Sequence, residues 1–371
     1  MKIICQREAF ATAFQLASSV APTRSPKEIL LNVKVIARGG TVTLSATDME
    51  IGMHLTVEGV QIETEGAALL PVQRIGRIVR ESSDEQLTFE TDESGIKVTG
   101  NRSRFQLPGA TPDEFPSVAT FEETSFHQIP TRLFGELIRR TVFATDAESG
   151  RYALGGVLLE MENERVTAVG TDGRRLATME GRGTSVGEHK TSGTNTIVPN
   201  RSINLIERAL NEKDEIVEVA ARPNDLLVRT PRCTIYSRLV EGRYPNWRQV
   251  LPQRDEAVTI DLVVGPFYAA LRQAAVVTDQ DSRGIDFTFG QGTMMLEAST
   301  AEVGQSHVDL PISYDGEPIK VTLDHRFLAD FCKVLDPEKT ISMEIESSDR
   351  PALLRTDDGF QYVVMPMARD R

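Results

Sequence analysis

The sequence contains few of the residues that build covalent crosslinks or metal centres. Among 371 residues there are only three cysteines, Cys5, Cys233 and Cys332, and their spacing matches no paired pattern. The simplest interpretation is three buried apolar side chains in a reducing compartment. The five histidines are scattered, whereas a zinc site needs ligands clustered at short spacings. We therefore predict no structural metal and no cofactor.

Long apolar segments are missing as well. Runs such as Val33–Ala37 are far too short to cross a bilayer. The N-terminus, MKIICQREAF, lacks the apolar core of a secretory signal. The sequence therefore predicts a cytoplasmic protein that has no membrane partner.

Positive charge is scarce in total but concentrated in certain segments. The formal net charge is −13, and a uniformly acidic surface would repel a phosphate polymer. Six predicted helices nevertheless carry a net charge of +6, which leaves −19 for the remaining residues. These helices span residues 6–20, 71–83, 130–144, 199–210, 265–278 and 324–335.

Three of the predicted helices place arginines opposite an apolar face. At about 100° per residue, Ile75, Ile78 and Val79 fall on one side of the 71–83 helix and its arginines on the other. The same polarity recurs at equivalent positions, which favours a functional basic surface over ordinary solvated helix faces, although both interpretations stay open. The residues on these helices that could contact the phosphates of a nucleic acid are Arg74, Arg77, Arg80, Arg139, Arg140 and Arg201.

A threefold repeat divides the chain into residues 1–124, 125–252 and 253–371. Its turns align as LSATDMEIGM, AVGTDGRRLATM and LEASTAEVGQ, and its second helices align in the same order. Each repeat is long enough to be a domain with its own core. Two helices and about eight short strands in each repeat predict an α+β fold.

Helix width limits what such repeats can enclose. Six helices, each about 10 Å wide, leave a bore of roughly 9 Å when they line a circle. A DNA duplex cannot pass through it. Twelve helices leave roughly 28 Å. If the helices line one concave side, one chain forms half of a ring, and a head-to-tail dimer closes it.

Four segments resemble the bacterial sliding clamp family, the beta subunit of DNA polymerase III, and the resemblance covers the whole chain. They are TDGRRLA (171–177), EGRYPNWRQVLP (241–252), NRSRFQLPG (101–109) and YVVMPM (362–367). The resemblance implies three clamp domains, each with two helices and two antiparallel sheets. It also implies a homodimeric ring that encircles double-stranded DNA without sequence specificity and tethers the replicative polymerase.

The resemblance further implies a non-catalytic subunit with several protein partners. These are the DNA polymerase III alpha subunit, the clamp loader, and other polymerases and repair proteins that dock through a clamp-binding peptide. The peptide pocket is expected between the middle and last domains, where flexible methionines suit a site that accepts several partners. By resemblance its residues are Leu154, Thr171, Gly173, Arg174, Arg175, Leu176, Pro245, Gln249, Val250, Val363, Val364, Met365, Pro366 and Met367.

Three features of the pocket region depart from the family pattern. Arg174 stands where the family often has histidine, Gln249 stands where it often has arginine, and the chain continues as Ala368–Arg371. The residues alone would more simply make VVMPM a buried terminal strand and Thr171–Gly173 a tight turn.

The resemblance adds two DNA-proximal loops to the basic helices. Arg24 lies in the loop PTRSPKE, where the family has a DNA-contacting arginine, and Arg151 with Tyr152 resembles a second such loop. Ala153 stands where the family often has another aromatic residue, which weakens stacking on single-stranded DNA.

A subunit seam is implied between the first domain of one chain and the third domain of the other. Phe105 and Leu107 are expected on an edge strand, where pairing across subunits would satisfy unpaired backbone groups. The other expected seam residues are Arg74 and Ile78 on the neighbouring helix and Val276 and Val277 on the opposite chain.

Two other functions compete with a clamp. An enzyme would use Asp48, Glu50 or Asp172, which lie near turns. The third repeat, however, has Ser299–Ala301 at that turn, and no phosphate loop, nucleophile elbow or metal motif accompanies the acids. A scaffold that binds proteins but never DNA is the second alternative. We predict the clamp.

Overall fold

A computed structural model describes residues 1–92, 94–146, 152–191, 195–211, 213–252, 257–279 and 282–367. All six predicted helices occur within these ranges. They are α1 (Arg7–Ser18), α2 (Val72–Glu81), α3 (Thr131–Val142), α4 (Asn200–Ala209), α5 (Val264–Ala274) and α6 (His325–Lys333). Their apolar stripes are buried as the 3.6-residue period requires. The first turn of α6 is capped by Asp324, whose carboxylate accepts from the Arg326 backbone N–H at 3.0 Å.

The first of two compact units comprises Met1–Gly135, Glu162–Glu164 and Gly183–Leu239. Its strands are β1 (Lys2–Gln6), β2 (Asn32–Arg38), β3 (Thr41–Thr47), β4 (Ile51–Val57), β5 (Val60–Thr64), β6 (Gly66–Pro71), β7 (Gln86–Asp92), β8 (Gly95–Thr99), β9 (Arg104–Leu107), β10 (Phe126–Pro130), β14 (Thr184–Val186), β15 (Ile197–Pro199), β16 (Ile216–Ala221), β17 (Asp225–Arg229) and β18 (Cys233–Arg238). One sheet has the order β5-β1-β7-β8-β9 and another the order β14-β10-β16-β17-β18-β4-β3-β2-β6.

The second compact unit comprises Glu136–Met161, Arg165–Arg182 and Val240–Arg371. Its strands are β11 (Gly156–Glu162), β12 (Arg165–Thr171), β13 (Arg175–Arg182), β19 (Val258–Val263), β20 (Gly284–Gly290), β21 (Thr293–Thr300), β22 (Gly304–Pro311), β23 (Ile319–Asp324), β24 (Thr340–Ile345), β25 (Ala352–Arg355) and β26 (Phe360–Val364). Strands follow one another as β11-β12-β13-β26-β25-β24-β19 in one sheet and as β22-β21-β20-β23 in another.

Sheets in this chain run across the predicted repeat boundaries. In the first unit, β18 of the second repeat pairs with β4 of the first, with Cys233 opposite Leu55. In the second unit, β26 of the third repeat pairs in the same way with β13 of the second, with Val364 opposite Arg175. The two compact units therefore do not coincide with the three repeats, and the boundaries at residues 124 and 252 stay a prediction.

The cores are apolar and contain the three cysteines. Alternating residues point inward on the strands, as Val33, Val35 and Ala37 do on β2. The described cysteines are free thiols, and burial raises the pKa of each to about 12. Among the described residues no helix is long and apolar enough to span a bilayer. The same residues include no group of three or more His, Cys, Asp or Glu side chains that could hold a metal ion.

Candidate functional site

The turn between β12 and β13 is built by its own side chains. The Thr171 hydroxyl donates to the carbonyl of Arg175 at 2.6 Å and accepts from the Gly173 N–H at 3.1 Å. One oxygen of Asp172 accepts from the backbone N–H groups of Arg174 and Arg175 at 2.8 and 3.0 Å. Gly173 has a φ of +87°, a conformation that favours glycine. The turn holds Gly173 and Arg174 exposed at the end of the sheet.

The C-terminal strand lies directly beside this turn. Val364 is opposite Arg175, and the Met365 N–H donates to the carbonyl of Arg174 at 2.9 Å. Val364 is buried, whereas Met365 and Met367 are 42% and 36% exposed. The VVMPM segment is thus a core strand up to Val364 and an apolar surface beyond it.

The segment after β18 is anchored to the same unit by two aromatic residues. The Tyr244 hydroxyl donates to the carbonyl of Val169 at 3.0 Å, and burial raises the pKa of this phenol, which keeps it a donor. Trp247 is buried, and the Arg248 guanidinium lies 4.2 Å from the centre of its ring. The same guanidinium binds both oxygens of Glu160, at 3.1 and 2.7 Å. These contacts fix the position of the residues that follow.

A cavity of about 740 Å³ lies against this segment. Cavities of about 300–1,000 Å³ are typical of ligand pockets. Pro351 lines the cavity, and it precedes Ala352, which is opposite Val364 in the β25–β26 pair. The cavity therefore lies beside the strand that pairs with β26, although its lining does not include Met365. Its lining includes Asn246, Gln249, Val250, Glu346, Arg350 and Pro351.

All the predicted pocket residues belong to the second compact unit. The buried members are Leu154, Thr171, Leu176, Val363 and Val364. The exposed members are Gly173, Arg174, Pro245, Gln249, Val250, Met365 and Met367, and Pro366 is half-buried. Most of the set is thus either buried or exposed, and we call the exposed group the rim. Of the set, Gln249 and Val250 line the cavity.

Arg175 is a member of the predicted set whose side chain is mostly buried and is not part of the exposed rim. Its side chain is 10% exposed, with Nε 3.0 Å from Asp172 and Nη1 2.9 Å from Asp330. Nη2 donates to the carbonyl of Phe143 at 2.7 Å. The Phe327 ring centre lies 4.5 Å from the guanidinium carbon. Arg175 thus stabilises the turn from the protein interior, and each of its guanidinium nitrogens already has a partner.

The predicted DNA-contact arginines of the first unit are exposed, with one qualification. Arg24 and the α2 residues Arg74, Arg77 and Arg80 face solvent. Arg201 on α4 is half-exposed, but it forms an ion pair with Asp48 and donates to the carbonyl of Val20 at 2.9 Å. This contact draws Arg201 towards the end of α1, shortly before the Arg24 loop, and its charge is partly neutralised.

Arg139 and Arg140, in the second half of α3, are both predicted from the sequence to be exposed, but they differ in the structure. Arg139 is exposed as predicted. Arg140 is buried, and it forms ion pairs with Asp358 at 2.9 Å and with Glu136 at 3.2 Å. The prediction of Arg140 as a solvent-facing contact residue is therefore wrong. Adjacent helical positions lie about 100° apart, so only one of the two faces solvent here. Arg151 and the side chain of Tyr152 lie outside the described residues.

The expected seam strand is an edge strand, but one expected seam residue is internal. Strand β9 is the last strand of its sheet, with Phe105 37% exposed and Leu107 half-buried. Ile78 is only 9% exposed, because it belongs to the apolar stripe of α2 that packs into its own domain. Ile78 therefore offers little surface to a partner, which corrects its assignment.

The opposite seam residues lie beside another edge strand. Val276 is 75% exposed and Val277 is half-buried, in a short helical turn over Ala275–Val277. The carbonyl of Val277 accepts from the Thr300 hydroxyl at 2.9 Å, at the end of β21. The neighbouring strand β22 is the edge of that sheet. An exposed valine therefore accompanies an open strand edge in the second unit.

Known proteins match the chain from end to end. Residues 1–119, 128–246 and 248–368 match the N-terminal, central and C-terminal domains of the DNA polymerase III beta subunit. A beta sliding clamp of Caulobacter vibrioides is 28% identical over 376 residues, covering 99% of this chain and 100% of that protein. A crystal structure of a DNA polymerase sliding clamp from Pseudomonas aeruginosa with ligand is 26% identical, with a TM-score of 0.88 and full coverage of both chains.

A Bacillus subtilis sliding clamp shares the fold, with a TM-score of 0.90 at 22% identity, over 100% of this chain and 99% of that one. Three consecutive clamp domains define an α+β DNA-clamp fold, which confirms the predicted fold class. The chain belongs to the DNA polymerase III beta subunit family. Members of this family are sliding clamps, which are non-catalytic subunits of the polymerase.

Several residues that shape the pocket escaped the sequence analysis. Asp330 and Glu160 hold Arg175 and Arg248, and Arg350 and Pro351 line the cavity. They lie on strands, helices or turns far along the chain from the residues they contact. Only Asp172 carried a local signal, because an aspartate before glycine in a turn accepts nearby backbone hydrogen bonds.

Proposed function

We propose that this protein is a processivity clamp: two copies close a ring around double-stranded DNA and tether the replicative DNA polymerase to it. The observation that carries the proposal is the succession of three family domains along the whole chain. We infer that it acts in the cytoplasm, together with its proposed DNA and polymerase partners.

Duplex contact is assigned to arginines that remain available to phosphate. These are Arg24, Arg74, Arg77, Arg80, Arg139 and Arg201. Arg151 and Tyr152 are assigned with them, although Arg151 and the side chain of Tyr152 lie outside the described part of the chain. Arginine–phosphate contacts are independent of base sequence and weaken as salt rises. A ring held by such contacts slides, because each phosphate is equivalent to the next. The acidic remainder of the chain disfavours any other mode of binding DNA.

Partner docking is assigned to the surface formed by Met365, Met367, the 171–175 turn and the 740 Å³ cavity. Exposed methionines repack around different apolar anchors, so one surface serves several peptides. The proposed occupants are the clamp-binding peptides of the DNA polymerase III alpha subunit, the clamp loader, other polymerases and repair proteins.

Ring closure is assigned to the edge strands β9 and β22, contributed by different copies. The exposed Phe105 and Val276 support this assignment, since pairing the two edges would cover both side chains. A head-to-tail interface of this kind closes when the rotation between copies completes a circle.

Retention on circular DNA tests the proposal directly. The purified protein is loaded onto a nicked plasmid with a clamp loader and ATP, then separated from free protein by gel filtration. A ring stays with the nicked circle at high salt and is lost when a restriction enzyme linearises it. Equal retention on both forms would indicate ordinary binding, and no retention on either would indicate a scaffold that does not encircle DNA.

A further inference from the structure

Arg140 has partners on three sides in the interior of the second unit. Its side chain is 8% exposed, with Nη1 2.9 Å from Asp358 and Nη2 3.2 Å from Glu136. The guanidinium carbon lies 5.5 Å from the centre of the Phe360 ring, a cation–π distance. A guanidinium enclosed in this way is not available to a phosphate on the surface.

Asp358 occupies the tight turn that leads into β26. It accepts from the Lys339 ammonium at 2.5 Å and from the Thr356 hydroxyl, in addition to its ion pair with Arg140. Burial raises the pKa of Asp358, but these donors outweigh burial and hold its pKa well below the usual range. Gly359 follows with a φ of +86°. The turn is therefore held by a charged carboxylate with several donors.

Strand β26 runs directly from this turn to the proposed docking surface. It begins at Phe360, whose ring faces Arg140, and it ends at Val364, immediately before Met365. In its middle, the Tyr362 hydroxyl donates to the carbonyl of Phe327 at 3.0 Å. Met365 follows Val364 directly, so its backbone continues from this short strand, which pairs with β13 and β25 on its two sides.

The end of α3 also holds the strand next to β26. The carbonyl of Phe143, which follows α3, accepts from Arg175 at 2.7 Å, and Arg175 starts β13. Both strands that carry the docking surface are thus tied to one stretch of chain. One tie is Arg140 to Asp358, and the other is Arg175 to Phe143.

We propose that Arg140 is a positioning residue for the partner pocket: by holding Asp358 it fixes the start of β26 and so the placement of Met365 and Met367. This inference rests on the proposed function of the pocket. It gives Arg140 a role different from that of its neighbour Arg139, which stays on the exposed face of α3.

Arginine at this position is required for its shape as well as its charge. A planar guanidinium pairs with two carboxylates at once and stacks on a ring, whereas a lysine ammonium is a point charge. Arg140→Lys keeps the charge that Asp358 needs and loses the two-sided geometry. Asp358→Asn keeps the size of the turn residue and removes the charge that Arg140 binds.

The test measures peptide affinity for full-length wild type, Arg140→Lys, Asp358→Asn and the double variant. The probe is a fluorescent peptide that contains Leu-Phe, titrated by anisotropy, with the dimer checked by sedimentation and folding by thermal unfolding. Arg165→Gln is the control, because Arg165 is exposed and its ion pair with Glu180 is long at 3.9 Å. DNA retention at several salt concentrations is measured in parallel.

We expect Arg140→Lys and Asp358→Asn each to weaken peptide binding roughly 3- to 10-fold. The double variant should be no weaker than the worse single one, because both changes remove the same contact. The salt dependence of DNA retention should be unchanged in each variant, and the control should bind peptide as the wild type does. A purely structural role would lower the melting temperature and leave the affinity of the folded protein intact.

Three results would overturn the inference. One is unchanged peptide affinity in both single variants. Another is full additivity in the double variant, which would show that Arg140 does not act through Asp358. The third is a reduced salt dependence of DNA retention with intact peptide binding, which would indicate that Arg140 contacts DNA phosphate instead. If the wild type bound no peptide, the pocket assignment would fail along with the role of Arg140.

Discussion

The Nη1 atom of Arg175 lies 2.9 Å from Oδ2 of Asp330, and this ion pair ties the 171–175 turn to α6. We expect Asp330→Asn to loosen the turn and to lower the free energy of unfolding by about 1–2 kcal/mol, since Asp330 is partly exposed. Urea denaturation measures the loss. Asp330 also forms an ion pair with Lys333 on the exposed side, with Lys333 Nζ 3.0 Å from Oδ1. Lys333→Gln is therefore the matched control and should change the free energy of unfolding little.

The exposed methionines are predicted to carry partner affinity. Met365→Ala with Met367→Ala removes two apolar side chains from the rim while Val364 stays in the core. We expect about 10-fold or greater loss of peptide binding, because truncation of an interface anchor costs roughly 1–2 kcal/mol or more. Sedimentation should still show a dimer. An unchanged titration with a Leu-Phe peptide would count against the pocket.

A charge on the edge strand is predicted to separate the subunits. Phe105→Asp places a carboxylate on β9 where the proposed interface buries an aromatic ring. We expect monomers in sedimentation velocity at micromolar concentration. Ile216→Asp is the control, since Ile216 is 45% exposed and has no proposed role in closure. A dimer that persists in Phe105→Asp would refute the seam.

The α2 arginines are predicted to set the salt dependence of DNA binding. Replacing Arg74, Arg77 and Arg80 together by alanine removes three exposed charges without touching the buried stripe of the helix. Each lost phosphate contact reduces the slope of log K against log salt by about 0.9. Exposed arginines on strands, Arg165 and Arg182, provide the matched control. Equal slopes in both variants would show that α2 does not face the duplex.

A buried histidine pair is predicted to make stability depend on pH. His127 and His189 face each other with their Nδ1 atoms 2.7 Å apart, and the Ala221 N–H donates to Nε2 of His189 at 3.0 Å. His127 Nε2 lies 3.0 Å from the carbonyl of Asn163. These contacts suit two neutral rings, with His189 protonated on Nδ1 and His127 on Nε2.

Burial lowers the pKa of both histidines, so the unfolded chain binds protons at a higher pH than the folded one. Stability is therefore fully present above the unfolded pKa of about 6.5 and falls as the pH drops below it, by at most about 2.7 kcal/mol per pH unit for two protons. Urea midpoints between pH 5 and 8 measure this slope. A double His127→Gln, His189→Gln variant should flatten it, whereas the exposed His307→Gln should not.

Periodicity predicted the secondary structure well, because each helix obeys its own local pattern. On α2 the buried Ile75 and Val79 and the exposed arginines all follow from spacing. The Thr171–Gly173 turn was also readable, since its hydrogen bonds are made within five residues. Spacing also placed Ile78 in the apolar stripe, and its seam assignment came from the family resemblance. Spacing was insufficient for Arg140, whose partner Asp358 comes from the last repeat.

The sequence by itself determined the threefold repeat, the helices with their basic faces, and the family. Each of these depends on the order and type of residues within short stretches of the chain, which the sequence states directly. Only the tertiary structure decided which arginine of the Arg139–Arg140 pair faces solvent and which carboxylates hold Arg175 in place. The ion pairs of Arg140 with Asp358 and of Arg175 with Asp330 form only where folding brings distant segments together, so no single stretch of sequence contains both charges.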